Sequence, residues 1–138
     1  MRIVFDTNIL VSAVAFPGGP PSDVFGLARA SRLQAFVSPA ILAELAGVLQ
    51  GKLRFADNQV LALGQLVAQA CTLVQPQCRV EDIVSNPKDN RLLELALEVR
   101  ADYIITGNLR HVRSLGEWRG IRVRTAREFL DELQGEID

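Results

Sequence analysis

The chain of 138 residues is 49% hydrophobic and 22% charged, and 15 basic side chains nearly balance 16 acidic ones. That length suits one domain, residues 1–138, with a core that needs no disulfide or structural metal, and the apolar fraction excludes a disordered chain. A net charge of −1 excludes a uniformly basic nucleic-acid binder and leaves only a local basic patch to meet an anionic partner.

No apolar run reaches the ~18–20 residues of a membrane span, and the N-terminal apolar stretch stops at Asp6, too early for a signal-peptide core. Cys71 and Cys78 lack metal-ligand or redox spacing. The expectation is a cytoplasmic protein with two reduced thiols, making no membrane contact.

Taken in chain order, Arg2–Phe5 reads as a short buried parallel strand, and Thr7–Ala15 as a short helix. Residues 16–21 are a loop by their Pro and Gly content, after which Ser22 is expected to cap a helix to Ser31. Ala35–Val37 is a second strand. Ser38-Pro39 predicts a helix to Gln50, since Ser is a good cap and Pro suits the first helical position. Asp57 caps a further helix through Ala70, and residues 72–74 form a third strand. The spacing of Leu92, Leu93, Leu95, Ala96 and Val99 predicts a helix over Asp89–Arg100. Residues 103–106 and 121–123 are the fourth and fifth strands, and Thr125 caps a last helix to Leu133.

Strands separated by helices imply right-handed crossovers and a parallel sheet. The expected fold is α/β: a three-layer α/β/α sandwich about a central, mostly parallel sheet of about five strands. In such sheets ligands lie beyond the carboxyl ends of the strands. Asp6 and Asn108 follow the first and fourth strands there, the helix from Asp89 starts on the same rim, and Glu44 lies in the second turn of its helix.

Each of these residues alone fits a plainer reading. Asp6 and Asp89 suit helix starts, Glu44 an exposed helical face and Asn108 a turn. Their convergence carries more information, because independent caps need not meet. Clustered carboxylates repel unless one is protonated or a cation joins them, and a hard divalent ion does so with oxygen ligands. Such an ion hydrolyses phosphodiesters by activating water and stabilising phosphoryl charge. No Gly-rich phosphate loop follows the first strand, which disfavours a nucleotide-binding domain. Asp6-Thr7-Asn8 also lacks the second Asp of a haloacid-dehalogenase-like phosphatase.

In their order, Ile3-Val4-Phe5-Asp6-Thr7-Asn8, Ser38 to Leu45, Asn86-Pro87-Lys88-Asp89-Asn90-Arg91 and Ala101 to Asn108 resemble the PIN-domain family, of the VapC-like toxin type found in bacterial toxin–antitoxin modules. The resemblance implies a metal-dependent endoribonuclease acting on RNA with Mg²⁺ or Mn²⁺, in which Asp6, Glu44 and Asp89 are the catalytic and metal-binding acids. Thr7, Asn8 and Thr106 match supporting positions. The fourth acid of many members falls at Asn108, where a neutral amide removes one charge and disfavours a second tightly held ion. The resemblance further implies a homodimer held inactive by a cognate antitoxin. A catalytically weak PIN-like module that binds RNA or protein is the alternative.

Arg110, His111 and Arg113 follow Asn108 and are the expected RNA-binding residues. Arg122 and Arg124 read as the solvated face of an edge strand, and Trp118 as either core or a base-stacking surface. The helix over residues 57–70 carries Val60, Leu61, Leu63, Leu66 and Val67, a wide stripe that is either ordinary core or an apolar groove open to a homodimer or antitoxin contact.

Overall fold

A computed structural model describes residues 1–82, 88–107 and 116–137. Strand β1 (Arg2–Phe5) is followed by α1 (Thr7–Ala15), α2 (Pro20–Arg29), β2 (Gln34–Val37), α3 (Pro39–Gly47), α4 (Asp57–Ala70) and β3 (Cys71–Leu73). Then come α5 (Asp89–Glu98), β4 (Tyr103–Ile105), β5 (Glu117–Trp118), β6 (Ile121–Arg124) and α6 (Ala126–Ile137). The sheet runs β3-β2-β1-β4-β6-β5, with every pairing parallel except β5–β6. This is the expected α/β layering with one strand more than expected.

The central strand β1 is apolar throughout its interior, and Ile3, Val4 and Phe5 are essentially inaccessible. Val4 sits opposite Phe36 on one side and Ile104 on the other. Successive strands move outward from β1 through β2 to β3, and the chain then returns to place β4 on the other side of β1. The strand order therefore reverses at β1 and β4, which puts the crevice of a doubly wound sheet at their carboxyl ends.

Several boundaries differ from the sequence reading for identifiable reasons. Helix α2 starts at Pro20 behind Gly19 rather than at Ser22, because proline suits the first turn, and it ends at Arg29. Ala56, not Asp57, precedes α4; the Gln59 side chain accepts the Ala56 N–H at 2.9 Å, while Asp57 accepts from Gln50 at 2.9 Å. Helix α3 does not run to Gln50 as a regular helix but passes at Val48–Lys52 into a π-helical turn. Strand β3 lies one residue earlier than expected. Ser38 does cap α3, accepting the Ile41 N–H at 3.2 Å. Thr125 caps α6 with a reciprocal pair: the Glu128 N–H donates to its hydroxyl at 3.1 Å, and its own N–H donates to Glu128 at 2.9 Å. That helix runs on to Ile137.

The unexpected strand β5 forms a hairpin with β6 around Arg119 (φ 50°) and Gly120 (φ 83°), the left-handed pair that a two-residue hairpin turn needs. Strand β6 is consequently interior rather than the expected edge, with Arg122 exposed and Arg124 half-buried. Arg122 donates to the Tyr103 hydroxyl at 2.8 Å; Arg124 bonds Glu132 at 2.5 Å and the Gly116 carbonyl at 2.7 Å. The Tyr103 hydroxyl donates to Glu132 at 2.6 Å. Burial opposes the charge of Glu132, but these hydrogen bonds and both arginines hold its carboxyl below the usual range. The network ties α6 to β4 and β6. Trp118 is buried and donates its indole N–H to Asp82 at 2.7 Å, with the Arg119 guanidinium over its ring.

The segment after β3 is held along α5 by buried Glu94, whose carboxylate accepts the Val80 N–H at 2.9 Å. Cys71 and Cys78 are both free thiols, as expected, and burial pushes the Cys71 thiol up to about 12. Among the described residues no helix is long and apolar enough to cross a membrane.

Candidate active site

Asp6 leaves β1 at the reversal in strand order. Its own N–H donates to the Ile105 carbonyl of β4 at 3.0 Å, which fixes it on the shared rim. One carboxylate oxygen, Oδ1, accepts the Ile9 N–H at 2.8 Å and caps α1, while Oδ2 accepts the hydroxyl of fully buried Thr106 from the end of β4. Asp6 is thus a helix cap that also lines the candidate site.

Burial raises the Asp6 carboxyl to about 6 against the lowering effect of the Thr106 and Ile9 hydrogen bonds, and the negative charge of Asp89 raises it further. The two carboxylates therefore feel each other directly. Asp89 stands in the first turn of α5, where the helix dipole favours an anion. Glu44 comes from the second turn of α3, and its Oε1 accepts the hydroxyl of buried Thr7, so the residue after Asp6 orients the third acid.

All three acids line one cleft of about 510 Å³. Thr7 and Asn8 line it too. Thr106 reaches it through Asp6. Asn108, Arg110, His111 and Arg113 lie outside the described residues. Lys52, Gly47 and Gly51, which no sequence motif marks, also border the cleft, as does Lys88. The π turn that brings Gly51 and Lys52 to the rim has no simple sequence signature, whereas Lys88 adjoins Asp89.

The described residues hold no ready-made cage of three His, Cys, Asp or Glu side chains. The donor chemistry nevertheless fits a hard divalent cation. The groups are carboxylate oxygens, and the buried Asp6 charge and its repulsion from Asp89 are the penalties that a cation removes. A magnesium-type ion suits an incomplete cage because it retains several waters.

With this geometry in place, the family model for the PIN domain matches residues 2–110. The chain belongs to the PIN-domain family. PIN domains are generally nucleases, and Asp6, Glu44 and Asp89 all fall inside the matched span. An uncharacterized protein of Methanocaldococcus jannaschii is 29% identical over 150 residues, which cover 97% of this chain and 92% of that protein. In the crystal structure of VapBC2 from Rickettsia felis bound to a DNA fragment from their promoter, one chain aligns with a TM-score of 0.64 at 14% identity, covering 91% of this PIN domain and 98% of that chain. At that identity the likeness is one of fold. The matched span ends before β5, β6 and α6, yet Trp118, Val123 and Phe129 from those elements belong to the same core.

Proposed function

We propose that the protein is a divalent-metal-dependent endoribonuclease, the toxin of a toxin–antitoxin module. The observation that carries this reading is the convergence of Asp6, Glu44 and Asp89 on one cleft at the reversal in strand order. Asp6 and Asp89 would hold Mg²⁺ or Mn²⁺, with Glu44 beside them. When bound, the ion supplies Lewis-acid stabilisation of phosphoryl charge and a more acidic water. Glu44 Oε1 is engaged by Thr7, and Oε2 has no partner among the described residues. That free oxygen accepts a proton from the attacking water as its oxygen bonds to phosphorus and the phosphorus–oxygen bond to the leaving nucleotide breaks in line.

The choice of RNA rests on the sequence resemblance, because a water nucleophile does not require a 2′-hydroxyl. The antitoxin partner is supported by the shared fold with a chain of VapBC2. An apolar groove of about 380 Å³ between α3 and α4, with Leu61 exposed at its lip, is consistent with the homodimer or antitoxin contact expected from the sequence. Cytoplasmic location is part of the same reading.

The deciding experiment is cleavage of single-stranded RNA with Mg²⁺, with Mn²⁺ and with chelator, for the parent and for Asp89→Asn. Cleavage that needs the ion and vanishes in the variant supports the reading. Ion-independent cleavage overturns the mechanism, and RNA binding without cleavage favours the non-catalytic alternative.

Thr7→Val tests the link between the first and third acids. Losing a second partner of this kind typically costs ~10–100-fold in activity, while one hydrogen bond contributes about 1 kcal/mol to stability. The expected outcome is a ~10–100-fold loss of cleavage with a small change in the urea midpoint. Undiminished cleavage would separate Glu44 from the chemistry.

A further inference from the structure

Thirteen of the fifteen basic side chains are arginines, and the chain has only two lysines, Lys52 and Lys88. Both lysines line the cleft that holds the three acids. They come from separate elements. Lys88 immediately precedes Asp89 at the start of α5, and Lys52 ends the π turn that continues α3. Both are exposed, and among the described residues neither is paired with a carboxylate.

The residue type matters beside three carboxylates. A guanidinium there could fork onto the acids and be held by them, and elsewhere in this fold Arg124 is already engaged by Glu132 through its Nε. An ammonium is a compact, strongly hydrated charge on a flexible stem, so it can remain available for phosphate next to acids. Lys52 lies eight residues beyond Glu44, roughly 12 Å along a helix axis. That spacing along the cleft suits a phosphate flanking the scissile one. Gly47 and Gly51 line the intervening wall, and a Cβ at either would meet nothing within 4 Å. A strand can therefore lie close to the helix between Glu44 and Lys52. π turns occur disproportionately at functional sites. Here the turn carries one of the two lysines.

We propose that Lys52 and Lys88 are phosphate-binding residues that seat single-stranded RNA across the acidic centre, Lys88 near the reacting phosphate and Lys52 on a flanking one. This rests on the ribonuclease reading and assigns the substrate contacts of that site.

The test uses fluorescein-labelled single-stranded RNA and the full chain carrying Asp89→Asn, so that binding is read without cleavage. Fluorescence anisotropy across a salt series gives the number of phosphates neutralised. Each of Lys52→Ala and Lys88→Ala should reduce the salt slope by about 0.7, and Lys→Arg at the same position should restore it. In the cleaving parent, Lys52→Ala should raise KM more than it lowers kcat. Acetylation of the parent with and without RNA provides a second readout. RNA should protect both lysines, while the N-terminal amine serves as the internal reference.

Unchanged salt slopes together with unprotected lysines overturn the proposal while leaving ion-dependent cleavage intact. A parent that neither binds nor cleaves RNA overturns the ribonuclease reading as well. If Lys88→Ala impairs cleavage with no change in slope, Lys88 only positions Asp89 and its assignment to phosphate fails.

Discussion

Asp6→Asn is expected to eliminate cleavage and, in chelator at pH 8, to make the chain more stable than the parent. The first effect should be on the order of 10³-fold, the scale of losing a central electrostatic group. The second follows from the sign of the Asp6 shift. Its carboxyl rises from 3.8 to about 6 on folding, chiefly through burial, so the charged form is worse off in the folded state. That difference corresponds to about 3 kcal/mol of destabilisation, present above pH 6 and relieved as the pH falls through 6 towards 4. Asparagine retains an acceptor for the Ile9 N–H but changes the contact with Thr106, so the net gain is expected at about 1–3 kcal/mol. Urea melts at pH 5 and pH 8 measure it. A variant less stable than the parent at pH 8 would mean that the buried charge is compensated without an ion.

Phe129→Ala is expected to be the most damaging single truncation in the C-terminal part of the chain. Phe129 is completely buried in α6 and meets the Tyr103 ring edge-on at a centroid distance of 4.8 Å. Comparable truncations cost about 3–5 kcal/mol, against a typical total stability of about 5–15 kcal/mol. Tyr103 opens β4, the strand that delivers Thr106 to Asp6, so the loss should also loosen the site from behind. Urea unfolding gives the free energy directly. A change below about 1 kcal/mol would show that α6 is an appendage to the core.

The sequence revealed most where local chemistry and tertiary context agree. The run Ile3-Val4-Phe5 followed by Asp6 marks both a buried strand and its polar end, and Ser38-Pro39 marks a helix that turns out to present Glu44 to the cleft. Asp89 also begins its helix where periodicity placed it. Features decided by three-dimensional packing were hidden. Strand β5 has two residues, too few for a pattern, and exists because β6 offers it a partner. Arg122 and Arg124 alternate like an exposed edge, but although Arg122 is exposed and Arg124 half-buried, their long side chains reach across to Tyr103 and Glu132. Glu94 sits among leucines on a helix, and only the path of residues 74–82 explains its burial.

Cys71 has a consequence for watching the molecule breathe. It begins β3, the three-residue strand at one border of the sheet, and follows directly from α4. With its thiol at about 12, almost none is thiolate at neutral pH while the fold is closed. Alkylation at this sulfur should therefore wait for the border to peel open, whereas the less buried Cys78 reacts sooner. The lag between the two adducts by mass spectrometry would serve as a native stopwatch, timing the departure of β3 without any introduced label.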